Sequence, residues 1–245
     1  MKFTQPHFFT IVGITLASSL SADAGEKTPS LQEQIEARSS RSSTGGDPAK
    51  KKAYADGIKA VAESGVVEKA TKKGDVAPDF SLPNATGKLI TLSEELKNGP
   101  VVLTWYRGGW CPYCNIQLAA YQAVLPEIEA HGAKLIAVSP ELPDKALSTK
   151  EKNELQFQVL TDQNLKVARE YGLVFTLTPE VTGYYKEAFD LNSYNGESAA
   201  DDELPLAATY VINTDGKITY SFFDANSKMR AEPEAILNAL AKLKE

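Results

Sequence analysis

The stretch that decides the fold runs from Val101 to Asn115 and reads VVLTWYRGGWCPYCN. Its first six residues are largely apolar, which is typical of a buried strand, and a helical pattern follows from Asn115 onward. The two cysteines of the chain, Cys111 and Cys114, stand between these patterns. Pro112 suits the first position of a helix because it has no N–H and its φ is already helical. The stretch therefore predicts a strand, a short loop and a helix capped by Cys111.

A cysteine at the start of a helix is a candidate nucleophile. The unpaired N–H groups and the positive end of the helix dipole stabilise a thiolate and lower the cysteine pKa. We therefore expect Cys111 to be the nucleophile, with Cys114 about one turn deeper and within reach of the first sulfur. The glycines at 108 and 109 suggest a backbone that a substrate can approach closely.

The cysteine pair has three other possible roles. A structural disulfide across so short a loop would give little stability, because it removes little entropy from the unfolded chain. A zinc site needs about four ligands, whereas the sequence offers this dithiol with His7 and His131. Two inert buried thiols are the third alternative. The sequence predicts neither a metal nor a cofactor.

Residues 1–24 are predicted to form a secretory signal peptide. A lysine at position 2 precedes a mostly apolar stretch over 8–20, and Ala22-Asp23-Ala24 has the small-x-small pattern of a cleavage site. The protein is therefore expected to be exported, to the periplasm if the source is Gram-negative and otherwise out of the cell as a secreted protein. In such an oxidising compartment we expect a Cys111–Cys114 disulfide at rest.

The remaining chain divides into three predicted parts. Residues 25–52 are rich in serine and glycine and poor in large apolar side chains, which predicts a flexible linker. Residues 53–73 have helical spacing and form a helical preface, and residues 74–245 form the main domain. No membrane span is predicted in the mature chain. The net charge of −6 does not predict the basic surface that a nucleic-acid-binding protein needs.

Strand and helix patterns alternate through the main domain. The predicted strands at 101–106, 134–139 and 158–161 are separated by helical segments, which implies parallel pairing. The chain then ends with a predicted hairpin over 208–223 and a helix over 232–244. Glu141 follows a strand that ends at the same sheet edge as the dithiol, where it could carry a proton or cap a loop.

This layout is that of a thioredoxin-like fold, and several motifs make a resemblance specific. The segment 74–82 (GDVAPDFSL), the segment 105–114 (WYRGGWCPYC) and the later segments 139–141 (SPE), 159–162 (VLTD) and 208–212 (ATYVI) resemble the peroxiredoxin-like branch of the alkyl hydroperoxide reductase/thiol-specific antioxidant (AhpC/TSA) family. The resemblance implies an α/β, thioredoxin-like fold with a central mixed sheet flanked by helices, a peroxiredoxin-type insertion and an N-terminal extension.

The resemblance also implies a thiol-dependent peroxidase that reduces hydrogen peroxide or organic hydroperoxides. Cys111 would be the peroxidatic cysteine and Cys114 the resolving cysteine, and a thioredoxin-like dithiol donor would reduce the resulting disulfide. Two alternatives stay open: a thioredoxin-like thiol-disulfide oxidoreductase and a redox-inactive binding module. Nothing in the sequence sets an oligomeric state.

The sequence departs from the family pattern at the site itself. The PxxxTxxC loop of typical peroxiredoxins has Thr104 and Gly108 in place of its proline and threonine. Arg107 could supply the missing hydrogen-bond donor to thiolate and peroxide. The cis-proline position of thioredoxins corresponds to Ala208. Substrate contacts are expected at four positions: Gly109, Trp110, Tyr113 and Ala208.

Overall fold

The computed structural model describes residues 1, 29–43, 46–196 and 202–244. A five-stranded mixed sheet forms its centre, in the spatial order β5 (Gln158–Thr161), β4 (Lys134–Ser139), β3 (Val101–Trp105), β8 (Thr209–Ile212) and β9 (Ile218–Phe222). Strand β3 pairs in parallel with β4 and antiparallel with β8. The predicted mixed sheet of a thioredoxin-like fold is confirmed.

Two small antiparallel pairs flank the central sheet: β1 (Ser81–Pro83) with β2 (Leu89–Thr91), and β6 (Val174–Thr176) with β7 (Glu203–Pro205). The helices in the described residues are α1 (Leu31–Ser43), α2 (Pro48–Glu63), α3 (Val66–Lys69), α4 (Leu92–Leu96), α5 (Pro112–Ala123), α6 (Leu125–Ala130), α7 (Pro143–Lys152), α8 (Lys166–Glu170), α9 (Pro179–Ala188), α10 (Leu191–Asn195) and α11 (Pro233–Ala241), with a 3₁₀ turn at Gln163–Leu165. Each of these helices is too short or too polar to cross a bilayer.

Strand β3 positions the site because it lies in the middle of the sheet. Its five residues, from Val101 to Trp105, are all buried. Strands in the interior of such a sheet have both faces covered, so they consist of nearly continuous apolar residues instead of alternating polar ones. The chain leaves the carboxyl end of β3, crosses a short loop and enters α5 at the cysteines. The predicted strand, loop and helix order is therefore confirmed.

The predicted flexible linker over 25–52 is wrong where the structure describes it. Helix α1 occupies 31–43, and α2 already begins at Pro48. Leu31 and Ile35 of α1 are buried in the core, and α1 packs on α5. A polar segment that would be marginal as an isolated helix is thus stabilised by tertiary packing of two apolar residues.

A distant carboxylate caps this helix. Glu232, which precedes α11, accepts hydrogen bonds from the backbone N–H groups of Leu31 (2.9 Å) and Gln32 (2.8 Å). A negative charge there is favourable because it meets the positive end of the helix dipole. The predicted signal peptide over 1–24 lies, apart from Met1, outside the described residues.

Candidate active site

The cysteine pair lies at the start of α5, as predicted. Cys111 is the N-cap residue with extended backbone dihedral angles, and Pro112 occupies the first turn. The carbonyl of Cys111 accepts hydrogen bonds from the N–H groups of Cys114 (3.1 Å) and Asn115 (3.2 Å), which closes the first helical turn. Both cysteines are free thiols with no exposed surface. The Cys111–Cys114 disulfide therefore stays a prediction.

Arg107 contacts the first sulfur directly. Its guanidinium is buried and donates from Nη2 to Cys111 Sγ at 3.3 Å and from Nη1 to the Tyr185 hydroxyl at 3.0 Å. The guanidinium carbon also lies 5.2 Å from the centre of the Trp110 ring, in cation–π geometry. The sequence expected Arg107 at the thiolate, and the structure places it there.

A second arginine, which the sequence interpretation missed, lies on the other sulfur. Arg230 is buried in the segment before α11, and its Nη2 is 3.7 Å from Cys114 Sγ. Its Nη1 donates to Gln117 Oε1 at 2.9 Å, and its Nη2 also donates to the carbonyl of Ser227. Arg230 is 116 residues from Cys114 in the chain, so no local motif could have indicated this contact.

The environment separates the pKa values of the two cysteines. Burial acts to raise the pKa of Cys111, but a hydrogen bond from Cys114 and the charges of Arg107 and Arg230 hold that pKa well below its usual range. Burial raises the pKa of Cys114, and the neighbouring Cys111 sulfur raises it further. Cys111 is therefore the thiolate and Cys114 the thiol of the reduced pair.

The loop before Cys111 needs its two glycines for close packing. Gly108 has φ = +147°, and a Cβ there would lie 2.3 Å from the Trp110 indole nitrogen. A Cβ at Gly109 would lie 2.1 Å from Thr149 Oγ1. The space expected for an approaching substrate is thus filled, on these sides, by protein atoms. A substrate contact by the Gly109 backbone stays a prediction.

The Glu141 side chain fixes this loop through hydrogen bonds. Its fully buried carboxylate accepts hydrogen bonds from the Gly109 N–H (2.9 Å) and the Tyr106 hydroxyl (2.7 Å), and from the hydroxyls of Ser139 and Thr149. Burial raises the pKa of Glu141, although these hydrogen bonds act to lower it. The contacts support the loop-capping alternative for Glu141.

The other predicted contact residues surround the dithiol. Trp110 is buried and packs on Tyr185 and Phe189, the first from α9 and the second at its C-cap. Tyr113 is half-buried, with the Lys228 ammonium 5.8 Å from its ring centre. Ala208 is buried, and its carbonyl accepts hydrogen bonds from the Trp105 N–H (2.8 Å) and the Thr104 hydroxyl (3.1 Å). The carbonyl of Ala208 is therefore already paired with groups of β3.

The polar residues beneath the dithiol are uncharged. Gln117 Nε2 lies within hydrogen-bond distance of the hydroxyls of Thr104, Tyr121 and Thr209. Thr104, on the central strand, contributes a hydroxyl and no carboxylate to this group. Gln117 was missed in the sequence, where an uncharged amide inside a helix gives no signal of its own. Among the described residues, no cluster of three or more His, Cys, Asp or Glu side chains could hold a metal ion.

A buried dithiol that caps a helix after the central strand of a mixed sheet defines the class of the protein: a thioredoxin-fold redox protein. The AhpC/TSA family matches residues 73–221, more than half of the chain. The chain belongs to this family.

Similar proteins include peroxiredoxin Bcp of Escherichia coli, which is 26% identical over 153 residues covering 62% of this chain and 86% of the relative. The chloroplastic peroxiredoxin Q of Gentiana triflora is 30% identical over 120 residues, which cover 49% of this chain and 55% of the relative. Among solved structures, peroxidoxin BcpB of Mycobacterium tuberculosis aligns with a TM-score of 0.55 at 24% identity, over 71% of this chain and 97% of that chain. Such a structural likeness shows the fold.

Proposed function

We propose that this chain is a thiol-dependent peroxidase that uses Cys111 as nucleophile and Cys114 as resolving thiol. One observation carries the proposal: the Cys111 sulfur lies at the N-cap of α5 and accepts a 3.3 Å hydrogen bond from a buried guanidinium. Membership in the AhpC/TSA family and the similarity to proteins named peroxiredoxins support the same reaction class.

The first step is attack of the Cys111 thiolate on the terminal oxygen of a hydroperoxide. An S–O bond forms, the O–O bond breaks, and an alkoxide (hydroxide from hydrogen peroxide) leaves and takes a proton from solvent. The product at the protein is a cysteine sulfenic acid. Arg107 meets the charge that develops on sulfur and oxygen, because its planar guanidinium presents several donors at once.

The second step joins the two sulfurs. Cys114 attacks the sulfenic sulfur, an S–S bond forms, and the sulfenic oxygen leaves as water with the proton that Cys114 has lost. Cys114 is one helical turn from Cys111, so the attack needs no large movement of the backbone. We propose that a thioredoxin-like dithiol then reduces the disulfide by thiol–disulfide exchange.

Substrate access requires a conformational change. Neither sulfur has exposed surface, and Trp110, the residue before Cys111, packs on the aromatic side chains of Tyr185 and Phe189. A small hydroperoxide needs a narrower opening than a folded protein that carries a disulfide. The burial therefore favours the peroxidase over the alternative thiol-disulfide oxidoreductase.

Stopped-flow oxidation of the reduced protein tests the proposal. Hydrogen peroxide and an alkyl hydroperoxide should each oxidise one dithiol per chain, while the same preparation should reduce insulin disulfides no faster than background. Rapid insulin reduction without peroxide consumption would instead establish the disulfide oxidoreductase.

We also propose that the protein is exported, into the periplasm if the source is Gram-negative, after cleavage behind Ala24. The signal-like pattern of 1–24 supports this location. Mass spectrometry of the protein from its native host, isolated without reductant, should show an N-terminus at Gly25 and a mass lower than that of the dithiol by two hydrogen atoms. An uncleaved N-terminus, or two free thiols, would contradict the location or the oxidised resting state, respectively.

A further inference from the structure

Two buried cations at this site lack a carboxylate partner. Arg107 and Arg230 are each about 5% exposed or less. In the part of the chain that the structure describes, neither guanidinium forms an ion pair with an aspartate or glutamate. Each instead lies against a sulfur, Arg107 at 3.3 Å from Cys111 and Arg230 at 3.7 Å from Cys114. A buried charge is costly without a partner, so the site requires anionic sulfur.

The reduced site provides one thiolate for two guanidinium groups. Cys111 carries that negative charge and Cys114 keeps its proton, as the opposite directions of their pKa values indicate. Once peroxide converts Cys111 to a sulfenic acid, which is neutral, both cations lose their counter-charge. Cys114 is then the remaining sulfur that can ionise, and Arg230 already lies beside it.

We propose that Arg230 is a catalytic residue of the second step, in which it stabilises the thiolate of Cys114 that attacks the Cys111 sulfenic acid. The proposal rests on the peroxidase function above. In this step the Cys114 proton leaves, the new S–S bond forms, the S–O bond of Cys111 breaks, and the departing hydroxide combines with a proton to give water. The oxidation state of the protein changes only in the first step, so no further oxidant is needed.

The contacts of Arg230 fix its position for this role. Gln117 Oε1 accepts from Nη1 at 2.9 Å, and the Ser227 carbonyl accepts from Nη2. Gln117 is itself oriented by the hydroxyls of Thr104 and Tyr121, which lie 3.2 Å and 3.1 Å from its Nε2. The amide gives Arg230 a hydrogen-bond acceptor without neutralising its charge, whereas a glutamate there would neutralise it.

Several ionisable groups lie beside the two sulfurs or the two arginines and bear on the pH dependence of the second step. Tyr106 and Arg107 lie in the loop after β3, Tyr121 in α5, Tyr185 in α9, and Arg230 in the segment before α11. Burial raises the pKa of Tyr121 to about 12 and that of Tyr106 well above its usual range. Tyr106 and Tyr121 therefore stay neutral near neutral pH, and the second step depends on the ionisation of Cys114.

Rapid mixing with hydrogen peroxide tests the proposal in the full-length protein. Tryptophan fluorescence, from Trp105 and Trp110 together, should report two phases, with dimedone trapping and intact mass identifying sulfenic acid and disulfide. Arg230→Met should slow disulfide formation about tenfold at neutral pH and shift its pH profile upward by about one unit. Sulfenic acid should then accumulate, because the first phase slows by a smaller factor. Arg230→Lys should restore most of the rate.

Gln117→Glu supplies a second variant that keeps the guanidinium in place. It should slow the second phase in the same direction as Arg230→Met, because a carboxylate at 2.9 Å neutralises Arg230. Arg169→Met, which removes an exposed ion pair with Glu203, is the matched control and should leave both phases unchanged.

The outcomes separate this proposal from the peroxidase function. If the wild-type protein forms no sulfenic acid with peroxide, the proposed function fails and this inference with it. If the wild-type protein reacts but Arg230→Met and Gln117→Glu keep the normal second phase, only the role of Arg230 is overturned. Equal slowing of both phases in Arg230→Met would also overturn it, because Arg230 would then act on Cys111.

Discussion

On one side of the loop that leads to Cys111, the molecule buries a negative charge among neutral donors. Glu141 accepts hydrogen bonds from the Gly109 N–H and from the hydroxyls of Tyr106, Ser139 and Thr149. No lysine or arginine pairs with it in the described residues. Neutral dipoles can satisfy a buried carboxylate when every oxygen has a partner. We call this set of residues the Glu141 cluster.

On the other side, the molecule buries two positive charges against sulfur. Arg107 lies on Cys111 and Arg230 on Cys114, and the surrounding hydrogen-bond partners are neutral: a tyrosine hydroxyl, an amide oxygen and a backbone carbonyl. We call these two arginines and two cysteines the sulfur cluster. The Glu141 cluster is complete without any ionised partner. The sulfur cluster needs an anion, and among the described residues its own cysteines are the groups that lie against the guanidinium groups and can supply one.

This difference indicates that the two clusters have different roles. The carboxylate is kept away from the guanidinium groups, so the positive charge stays available for thiolate and for the oxygens of a peroxide. The Glu141 cluster fixes the loop, and the sulfur cluster carries out the chemistry. Substitutions on the two sides should therefore differ in kind: those in the sulfur cluster should change rates, and those in the Glu141 cluster should change stability.

The largest effect is expected from the cysteines themselves. Cys111→Ser should abolish peroxide reduction and sulfenic acid trapping, because serine has no ionised sulfur to attack the O–O bond. Cys114→Ser should still consume one equivalent of peroxide and then accumulate the Cys111 sulfenic acid. Peroxide consumption and dimedone adducts measure both. Equal loss of the first step in the two variants would remove the distinction between the sulfurs.

The next effect concerns Arg107. Arg107→Ala should raise the pKa of Cys111, so the rate against pH should shift upward, and should slow sulfenic acid formation about 100-fold, the typical cost of one lost donor to a developing oxyanion. Each pKa unit corresponds to about 1.4 kcal/mol of lost preference for the thiolate.

Arg107→Lys separates charge from geometry. It should recover the Cys111 pKa better than the peroxide rate, because lysine lacks the planar pair of donors. Thiolate absorbance and stopped-flow rates measure the two quantities. An unchanged pKa and rate in Arg107→Ala would mean that the sulfur cluster does not use this guanidinium, and the disulfide oxidoreductase would become the better interpretation.

The two clusters were not equally visible in the sequence. The sulfur cluster was predicted in part, because Cys111, Cys114 and Arg107 lie within eight residues of one another and Pro112 marks the helix start. Strands β4 and β5 were also predicted with their observed bounds, since continuous apolar runs between turn residues are a local signal. Local patterns thus sufficed for the sheet and for half of the site.

Arg230 and helix α1 could not be predicted in the same way. Arg230 stands in the polar run Ser227-Lys228-Met229-Arg230, which has the composition of an exposed turn. The serine-rich sequence of α1 indicates a linker, and its cap, Glu232, lies about 200 residues away. The short helices α9 and α10 were also missed. Their positions depend on tertiary contacts, which override local propensity.

A smaller effect, now on stability, is expected in the Glu141 cluster. Glu141→Gln places an amide NH₂ among groups that are all donors, so at least one buried donor loses its acceptor. The free energy of unfolding should fall by about 3 kcal/mol, the upper part of the range for an unsatisfied buried group. Urea unfolding of the wild-type protein and the variant measures this loss.

The pH dependence of that loss has a definite sign. The folded protein raises the pKa of Glu141, so it binds the proton more tightly than the unfolded chain, whose glutamates titrate at about 4.3. The contribution of Glu141 is then fully present below that pH and declines as the pH rises through the folded pKa. The stability difference between wild type and Glu141→Gln should therefore shrink from pH 4 to pH 7. A difference that grows with pH would show that the folded protein favours the Glu141 anion over the protonated acid, which would contradict the raised pKa.

The smallest effect should come from Gly109→Ala, which tests whether this glycine serves packing or substrate. The new Cβ would lie 2.1 Å from Thr149 Oγ1, and Thr149 cannot rotate away without giving up its hydrogen bond to Glu141. Overpacking of this kind should lower the free energy of unfolding by about 1–2 kcal/mol. Thr149→Ala removes the clashing oxygen, so the double variant should be less destabilised than the sum of the two single variants. Gly109→Ala could instead leave stability unchanged and raise only the peroxide concentration needed for half-maximal rate. Gly109 would then be a substrate contact that belongs with the sulfur cluster, and Thr149 would be the residue of the Glu141 cluster next to it.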